Sequence, residues 1–255
     1  GKKLFLPRNV RTVKHKMTSE ETELYNEVTN YVVDYYNRAK ENRNITFAMT
    51  LLQRRLTSST YAIEKSLERR FEKLEELRRI PGRLEDPEYR HIAGLTEEEL
   101  EDMEDFQRER MERKLEQLTI AKNIEEVEEE IIEIQKLLEK VRAVRKQEIE
   151  SKLASLRDDI LAQLDGRKLL IFTQFRDTLT YLEDSLRKWG YQVTAIHGGM
   201  GMDQRIAAEK EFKDSTQILI GTEAAGEGIN LQFCSLMVNY DIPWNPNRLE
   251  QRMGR

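Results

Sequence analysis

The chain has 255 residues, enough for one large domain or two smaller ones, with 38% hydrophobic and 35% charged residues. Its formal net charge is -5, so no global basic signature of nucleic-acid binding is present, although binding depends on where charges sit rather than on their sum. The single cysteine, Cys234, excludes an internal disulfide framework and a cysteine-cluster metal site.

The apolar neighbours of Cys234 predict a small buried thiol. No apolar run approaches the ~18 residues of a membrane span, and no signal-peptide pattern opens the chain. A soluble, reducing, cytoplasmic setting without a membrane partner is expected. Gly1 has no initiator Met before it, and Arg255 stands in the middle of a motif described below. The chain therefore reads as part of a larger protein.

Residues 1–17 carry Lys2, Lys3, Arg8, Arg11, Lys14 and Lys16 and no acid. Alternation of Val13, His15 and Met17 with Thr12, Lys14 and Lys16 predicts a short strand in this basic arm. Residues 18–60 read as a helical linker. Thr18 and Glu21 make a capping box, and Leu24, Val28, Tyr31, Val32, Tyr35 and Ala39 form one helical stripe. A second helix is expected from about Thr46.

Residues 61–164 read as a helical insertion. Ile63, Leu67, Phe71, Leu74 and Leu77 fall at helical spacing, and Pro81-Gly82 and Pro87 break the pattern. Ile120, Ile124, Val127, Ile131, Ile134, Leu138 and Val141 then alternate steps of four and three, a heptad seam. The pattern slips near Arg145 and resumes at Ile149, Leu153, Leu156, Ile160 and Leu164. A continuous helix over 120–164 would be about 65 Å long. The simplest partner for its seam is the 63–77 stripe, giving a long antiparallel coiled-coil hairpin with Glu97 to Phe106 near its tip. The run Glu125-Glu126, Glu128-Glu129-Glu130 reads as a solvated face. Such a hairpin is either a structural arm or a docking site for a protein partner.

From 165 to 255 the pattern changes to alternating strands and helices. Strands are expected at Lys168–Thr173, Gln192–His197, Gln217–Gly221 and Leu236–Tyr240, and helices at Asp177–Trp189 and Met202–Phe212. This alternation implies an α/β fold with a parallel sheet and right-handed crossovers. Function then sits on loops at the carboxyl ends of the strands, where Thr173-Gln174, His197-Gly198-Gly199 and the glycine-rich Gly221 to Asn230 are found.

The ordered segments Ile171-Phe172-Thr173-Gln174-Phe175, Gly221-Thr222-Glu223-Ala224-Ala225-Gly226-Glu227-Gly228-Ile229-Asn230-Leu231, Asp241-Ile242-Pro243-Trp244-Asn245-Pro246 and Gln251-Arg252-Met253-Gly254-Arg255 resemble motifs IV, V and VI of the second RecA-like lobe of superfamily-two helicases. Within that superfamily they resemble the Swi/Snf-type, RapA-like DNA translocases. The resemblance is close over 165–255. It implies a partner lobe that binds ATP and magnesium, and it implies duplex DNA as the track.

Position by position, Arg255 matches the arginine that reaches the γ-phosphate, where an always-charged guanidinium stabilises the transferring phosphoryl group. Gly228, Asn230, Gln251 and Arg252 match the nucleotide side, with Arg252 equally open to a role as a salt-bridged helix residue. Thr173, Gln174, Gly198, Gly199 and Thr222 match positions that hold a nucleic-acid backbone. His197 belongs to that loop as a structural hydrogen-bonding residue. Trp244 either stacks on a base or adenine or packs beneath its own loop. An RNA-helicase lobe and a non-catalytic coiled-coil adaptor are the competing readings.

The sequence holds no Gly-x-x-x-x-Gly-Lys-Ser/Thr loop and no Asp followed directly by Glu. The 255-residue chain by itself is therefore expected not to hydrolyse ATP. A steady nucleic-acid-stimulated ATPase from this chain alone, lost on Arg255→Ala, would contradict that.

Overall fold

The computed structural model describes residues 9–38, 43–85, 96–147, 150–226 and 228–253. The strand expected at 10–17 is not formed. Residues 9–18 are irregular and mostly exposed, and with no described strand beside them the alternating side chains have no ladder to join.

Helix α1 (Ser19–Arg38) starts at the expected capping box: Thr18 N donates to Glu21 Oε2 (2.8 Å), and Glu21 N donates to Thr18 Oγ1 (3.2 Å). It is followed by α2 (Arg43–Ser58) and α3 (Thr60–Arg79). Ser59 caps α3 by accepting from Ala62 N at 3.0 Å. After a 3₁₀ turn at Pro81–Glu85 come α4 (Glu97–Asp102), α5 (Asp105–Leu115) and α6 (Ile124–Gln147).

Helices α3 and α6 run antiparallel. Arg145 pairs with Glu64, Arg142 with Glu64 and Glu68, and Arg70 with Glu130. Two features differ from the hairpin read in the sequence. The helix expected over 120–164 is not continuous: α6 ends at Gln147, and helical structure resumes at α7 (Ser151–Ser155), followed by a π-helical turn (Leu156–Ile160) and a 3₁₀ turn (Leu161–Gln163). The slip of the heptad near Arg145 marks this place.

The α3–α6 pair is also no free-standing arm. Val28 of α1, Leu52 of α2, Leu67 of α3, Leu100 of α4, Leu115 of α5 and Ile134 of α6 share one core, so α6 buries its seam against several helices. The 97–106 segment does not lie at a remote tip; α5 folds back against α2 and the α/β lobe. The acidic run is divided as well. Glu130 is buried, and its carboxylate accepts from Arg70 Nε (2.7 Å), Tyr31 Oη (3.0 Å) and Thr119 Oγ1 (3.0 Å).

The lobe consists of β1 (Leu169–Phe172), α8 (Arg176–Lys188), β2 (Val193–Ile196), α9 (Met202–Asp214), β3 (Ile218–Gly221), β4 (Leu236–Asn239) and α10 (Pro246–Met253). Among the described residues the sheet is four-stranded, parallel, in the order β2-β3-β1-β4. Its faces follow the strand period of two. Leu169 and Ile171 pack with Leu153 and Leu156 of the α7 region and Leu182 of α8. Leu170 and Phe172 pack with Ala208 and Phe212 of α9. Covering on both sides explains the unbroken apolar strands. Cys234 is half-buried rather than buried, its sulfur 3.2 Å from the Leu236 carbonyl.

Two outcomes are expected. Glu130→Ala strands the buried Arg70 guanidinium and should cost about 3–5 kcal/mol, while the paired apolar replacement Arg70→Met/Glu130→Leu should recover most of it; urea denaturation of the three variants checks this. Glu150 accepts from Thr60 N (3.1 Å) and Thr60 Oγ1 (2.9 Å), and burial pushes its carboxyl up to about 7. A raised carboxyl pKa contributes stability that is complete below its unfolded value and lost as pH rises through about 7. Glu150→Gln should therefore flatten the fall in Tm between pH 5 and pH 8, and an unchanged slope would exclude Glu150 as its source.

Candidate nucleic-acid and nucleotide interface

The ends of all four strands open on one edge of the sheet, and hydrogen bonds tie their loops together. Thr173 N donates to the Gly221 carbonyl (3.0 Å), Thr222 N to the Ile196 carbonyl (3.0 Å), and Tyr240 N to the Phe172 carbonyl (2.8 Å). The 223–226 turn folds tightly onto the end of β3. A Cβ on Gly221 would stand 2.3 Å from Ala225 Cβ, so only glycine fits there. This brings Thr173, Gln174, Gly198, Gly199 and Thr222 to one edge.

Asp241, which follows β4, gathers this edge. Its carboxylate accepts from Thr173 Oγ1, from Gln174 N (3.3 Å), from Ser58 Oγ at the end of α2 (2.9 Å), and from Lys152 Nζ (3.1 Å). Burial alone would raise its pKa. The Lys152 ammonium and the hydroxyl donors outweigh burial and hold the carboxyl below the usual range. Thr173 is consequently 0% exposed, with its hydroxyl committed to Asp241, so it acts here by fixing the loop and has no surface of its own to offer. Gln174 is buried at the margin and accepts from Arg54 Nη2 (3.1 Å).

The other two loops lie beneath α5. Thr222 donates its hydroxyl to Asp105, the first residue of α5, and is 2% exposed. A Cβ at Gly198 would lie 2.6 Å from Phe106 N and 2.8 Å from Asp105 Oδ2. Arg176, at the start of α8, points along the same edge. Its Nη1 lies 3.1 Å from where a Gly199 Cβ would sit and 3.7 Å from Glu109 Oε2 of α5. His197 Nδ1 accepts from Gly199 N (3.2 Å). Burial and the nearby Arg176 charge lower its pKa, which favours a neutral ring serving the loop. The edge thus holds its predicted residues together, but covered by the chain's own helix.

On the nucleotide side, Gly228 has φ +73°, which favours glycine, and it lies against Met202. Asn230 is exposed and accepts from Gln232 N at 3.1 Å. Gln251 is exposed on α10. Arg252 is not available to a nucleotide. It is 1% exposed, pairs with Glu223, donates to Asn239 Oδ1 (3.1 Å) and the Asp241 carbonyl (2.9 Å), and lies over the Phe172 ring. Of the two roles open to it in the sequence, the structure gives the salt-bridged one: Arg252 fastens α10 to the 223–226 turn. Arg255 lies outside the described residues. Trp244 does not pack beneath its loop. It is 65% exposed beside Ile242 at 71%, with the Arg54 guanidinium 5.8 Å from its ring. Among the described residues no group of three or more His, Cys, Asp or Glu side chains could hold a metal ion, and no helix is long and apolar enough to cross a membrane.

Sequence reasoning missed Asp105, Arg176 and Asp241. Asp241 lay inside a recognised motif. Arg176 stood at an expected loop-to-helix boundary, where a cation beside a glycine loop is a usable signal. Asp105 carried no local signal.

Residues 151–255 match the helicase conserved C-terminal domain family. Over 97 residues, 38% of this chain, the sequence is 46% identical to an uncharacterized ATP-dependent helicase, YqhH, of Bacillus subtilis, covering 17% of that protein. It is 38% identical over 101 residues to the RNA polymerase-associated protein RapA of Sodalis glossinidius, again 38% of this chain and 10% of that protein. It is 33% identical over 99 residues to the ATP-dependent RNA helicase SUB2 of Phaeosphaeria nodorum, 38% of this chain and 23% of the relative. The chain matches less than a quarter of the length of each of these relatives. Among solved structures, the Pyrococcus furiosus Hef helicase domain aligns with 97% of this chain and 53% of its own at TM-score 0.57 and 14% identity. The C-terminal part of the Fun30 ATPase domain aligns with 96% and 79% at TM-score 0.52 and 16% identity. At these identities the two structures show a shared fold.

Asp241→Asn should keep the local shape but remove the charge that Lys152 neutralises, at a cost of about 1–3 kcal/mol. Because the native carboxyl is held low, the stability it contributes is present above its unfolded value and is lost as pH falls through the folded one. The variant should therefore lose less stability than the parent on acidification below pH 4. Equal acid sensitivity in thermal melts would remove Asp241 from this role.

Proposed function

We propose that residues 151–255, which match the helicase conserved C-terminal domain family, are the C-terminal lobe of a superfamily-two helicase, and that the chain is the second motor lobe of an ATP-dependent DNA translocase of the Swi/Snf type. The first lobe holds ATP with its magnesium. Closure of the two lobes brings Arg255 to the γ-phosphate, and Asn230, Gly228 and Gln251 face the nucleotide. The observation that carries the reading is the gathering of Gln174, Gly198, Gly199 and Thr222 on one edge of a parallel sheet, beside an α10 anchored by the buried Arg252–Glu223 pair.

The chemistry of that edge suits a motor. The Thr222 hydroxyl, the side-chain-free Gly198-Gly199 loop and the Arg176 guanidinium suit a phosphate backbone without reading bases, as stepping along any sequence requires. Exposed Trp244 and Ile242 offer an apolar surface at the margin of the edge, where a ring can stack on nucleic acid. Hydrolysis and opening then shift one lobe relative to the other along the strand. Arg252 contributes as an anchor of α10 and not as a nucleotide contact. The likeness to SUB2 keeps RNA as the alternative track, and substrate choice is part of the test.

In a protein joining this chain to its first lobe, Arg255→Ala should lower kcat for ATP by roughly 10³-fold or more, the usual scale of an arginine finger. Thr222→Ala should raise the duplex DNA concentration needed for half-maximal stimulation with a smaller effect on kcat. Parallel titrations with duplex DNA and with RNA decide the track. Full activity in Arg255→Ala would sink the finger assignment, and stimulation by RNA but not DNA would replace the track.

A further inference from the structure

On α5, Asp105, Glu109 and Glu112 stand at i, i+4 and i+7, so a single helix face carries all three carboxylates. That face is turned to the carboxyl edge of the sheet. Asp105 accepts the Thr222 hydroxyl, Glu109 lies 3.7 Å from Arg176, and Glu112 lies 3.1 Å from Arg55. The backbone at Asp105–Phe106 fills the space above Gly198 so closely that not even a methyl group fits between them.

We propose that the acidic face of α5 is an intramolecular stand-in for the nucleic-acid backbone, seated on the phosphate-gripping loops until a phosphodiester strand displaces it. The inference rests on the proposed reading of Thr222 and Gly198 as backbone contacts. A carboxylate and a phosphate present the same anionic acceptor oxygens to the same donors. The Thr222 hydroxyl has one proton and cannot serve both, and Gly198 cannot lie against Phe106 and a ligand at once. Binding therefore competes with the seated helix, and the apparent affinity falls by the fraction of molecules with α5 in place.

The contact is built to release from one end. Asp105 and Glu109 hold the N-terminal part of α5 by a hydroxyl and by a partly exposed ion pair, a class of interaction worth little in water. Glu112, further along, and Glu116, just past the helix, are held in a buried network with Arg55 and Arg69. The residues before α5, Met103 and Glu104, are extended, with ψ of 150° and 146°. Lifting the first turn has to break the Thr222 hydrogen bond and the Arg176 ion pair, while the Glu112 and Glu116 end stays fixed and Arg248 Nη2 holds the Met103 carbonyl (3.2 Å).

The test measures binding of this chain to a fluorescein-labelled DNA duplex by fluorescence anisotropy, comparing the parent with Asp105→Ala, Glu109→Gln and the double variant. Removing the competitor should tighten Kd about tenfold in the double variant and less in each single one. It should also steepen the fall of affinity with salt as Arg176 is freed for phosphate. Glu109→Gln keeps the size and shape of the partly exposed Glu109 side chain and guards against misfolding of Asp105→Ala. Hydrogen exchange on the unmodified chain gives a second readout: amides in the first turn of α5 should exchange faster when duplex is added. Parent-like Kd in all variants with unchanged α5 exchange would overturn the inference and leave the motor reading standing. Absence of duplex binding by both the parent and the double variant would overturn both.

Discussion

Two guanidiniums, Arg55 buried and Arg69 largely buried, meet three carboxylates and fix the relation between the helical body and the lobe. Arg55 of α2 meets Glu112, Glu116 and Asp177, and Arg69 of α3 meets Glu116 and Asp177. The carboxylates come from α5, from the residue that follows it and from α8 of the lobe. Burial alone would raise the Asp177 pKa, but Arg55 and Arg69 overcome it and keep the carboxyl ionised. No member can leave without stranding a buried charge, which costs far more than the intact cluster contributes. The cluster therefore sets where α5 lies, and α5 in turn decides what the carboxyl edge of the sheet can reach.

A second junction repeats this design with fewer charges. Asp241 receives Ser58 from the end of α2 and Lys152 from α7, together with Thr173 from the lobe. The helical body is thus bonded to the loop after β4 as well as to the start of α8. These attachments frame the edge that carries Gln174, Gly198, Gly199 and Thr222. A lobe shift driven by nucleotide would carry the helical body with it.

The parts of the fold legible in the sequence were those written in local periods. The apolar run at Lys168–Thr173 became a central strand, β1, because a strand covered on both faces needs no polar alternation, and the three other expected strands formed where the βα alternation put them. The box at Thr18 and Glu21 started α1 where expected, and the loops at the strand ends followed from the βα alternation alone. Contacts between distant charges were not legible. Asp105 and Thr222 are 117 positions apart, and nothing near Asp105 distinguishes it from a solvated acid. Glu130 was partly readable, since it stands three residues after Val127 and four before Ile134, within the apolar seam. A charge there needs a buried partner, and Arg70 supplies it. Arg252 was undecided because an arginine in a phosphate-binding motif and an arginine in a buried pair have the same local sequence.

The central claim is that the edge holding Gly198, Gly199 and Thr222 is the surface that meets nucleic acid. A photo-crosslinking residue in place of Trp244, exposed at the margin of that edge, reports on it; the same residue in place of Ile132, exposed on α6, reports on the helical body. The account predicts crosslinks to duplex DNA from position 244 and none above background from position 132. Crosslinks from 132 with none from 244 would contradict it.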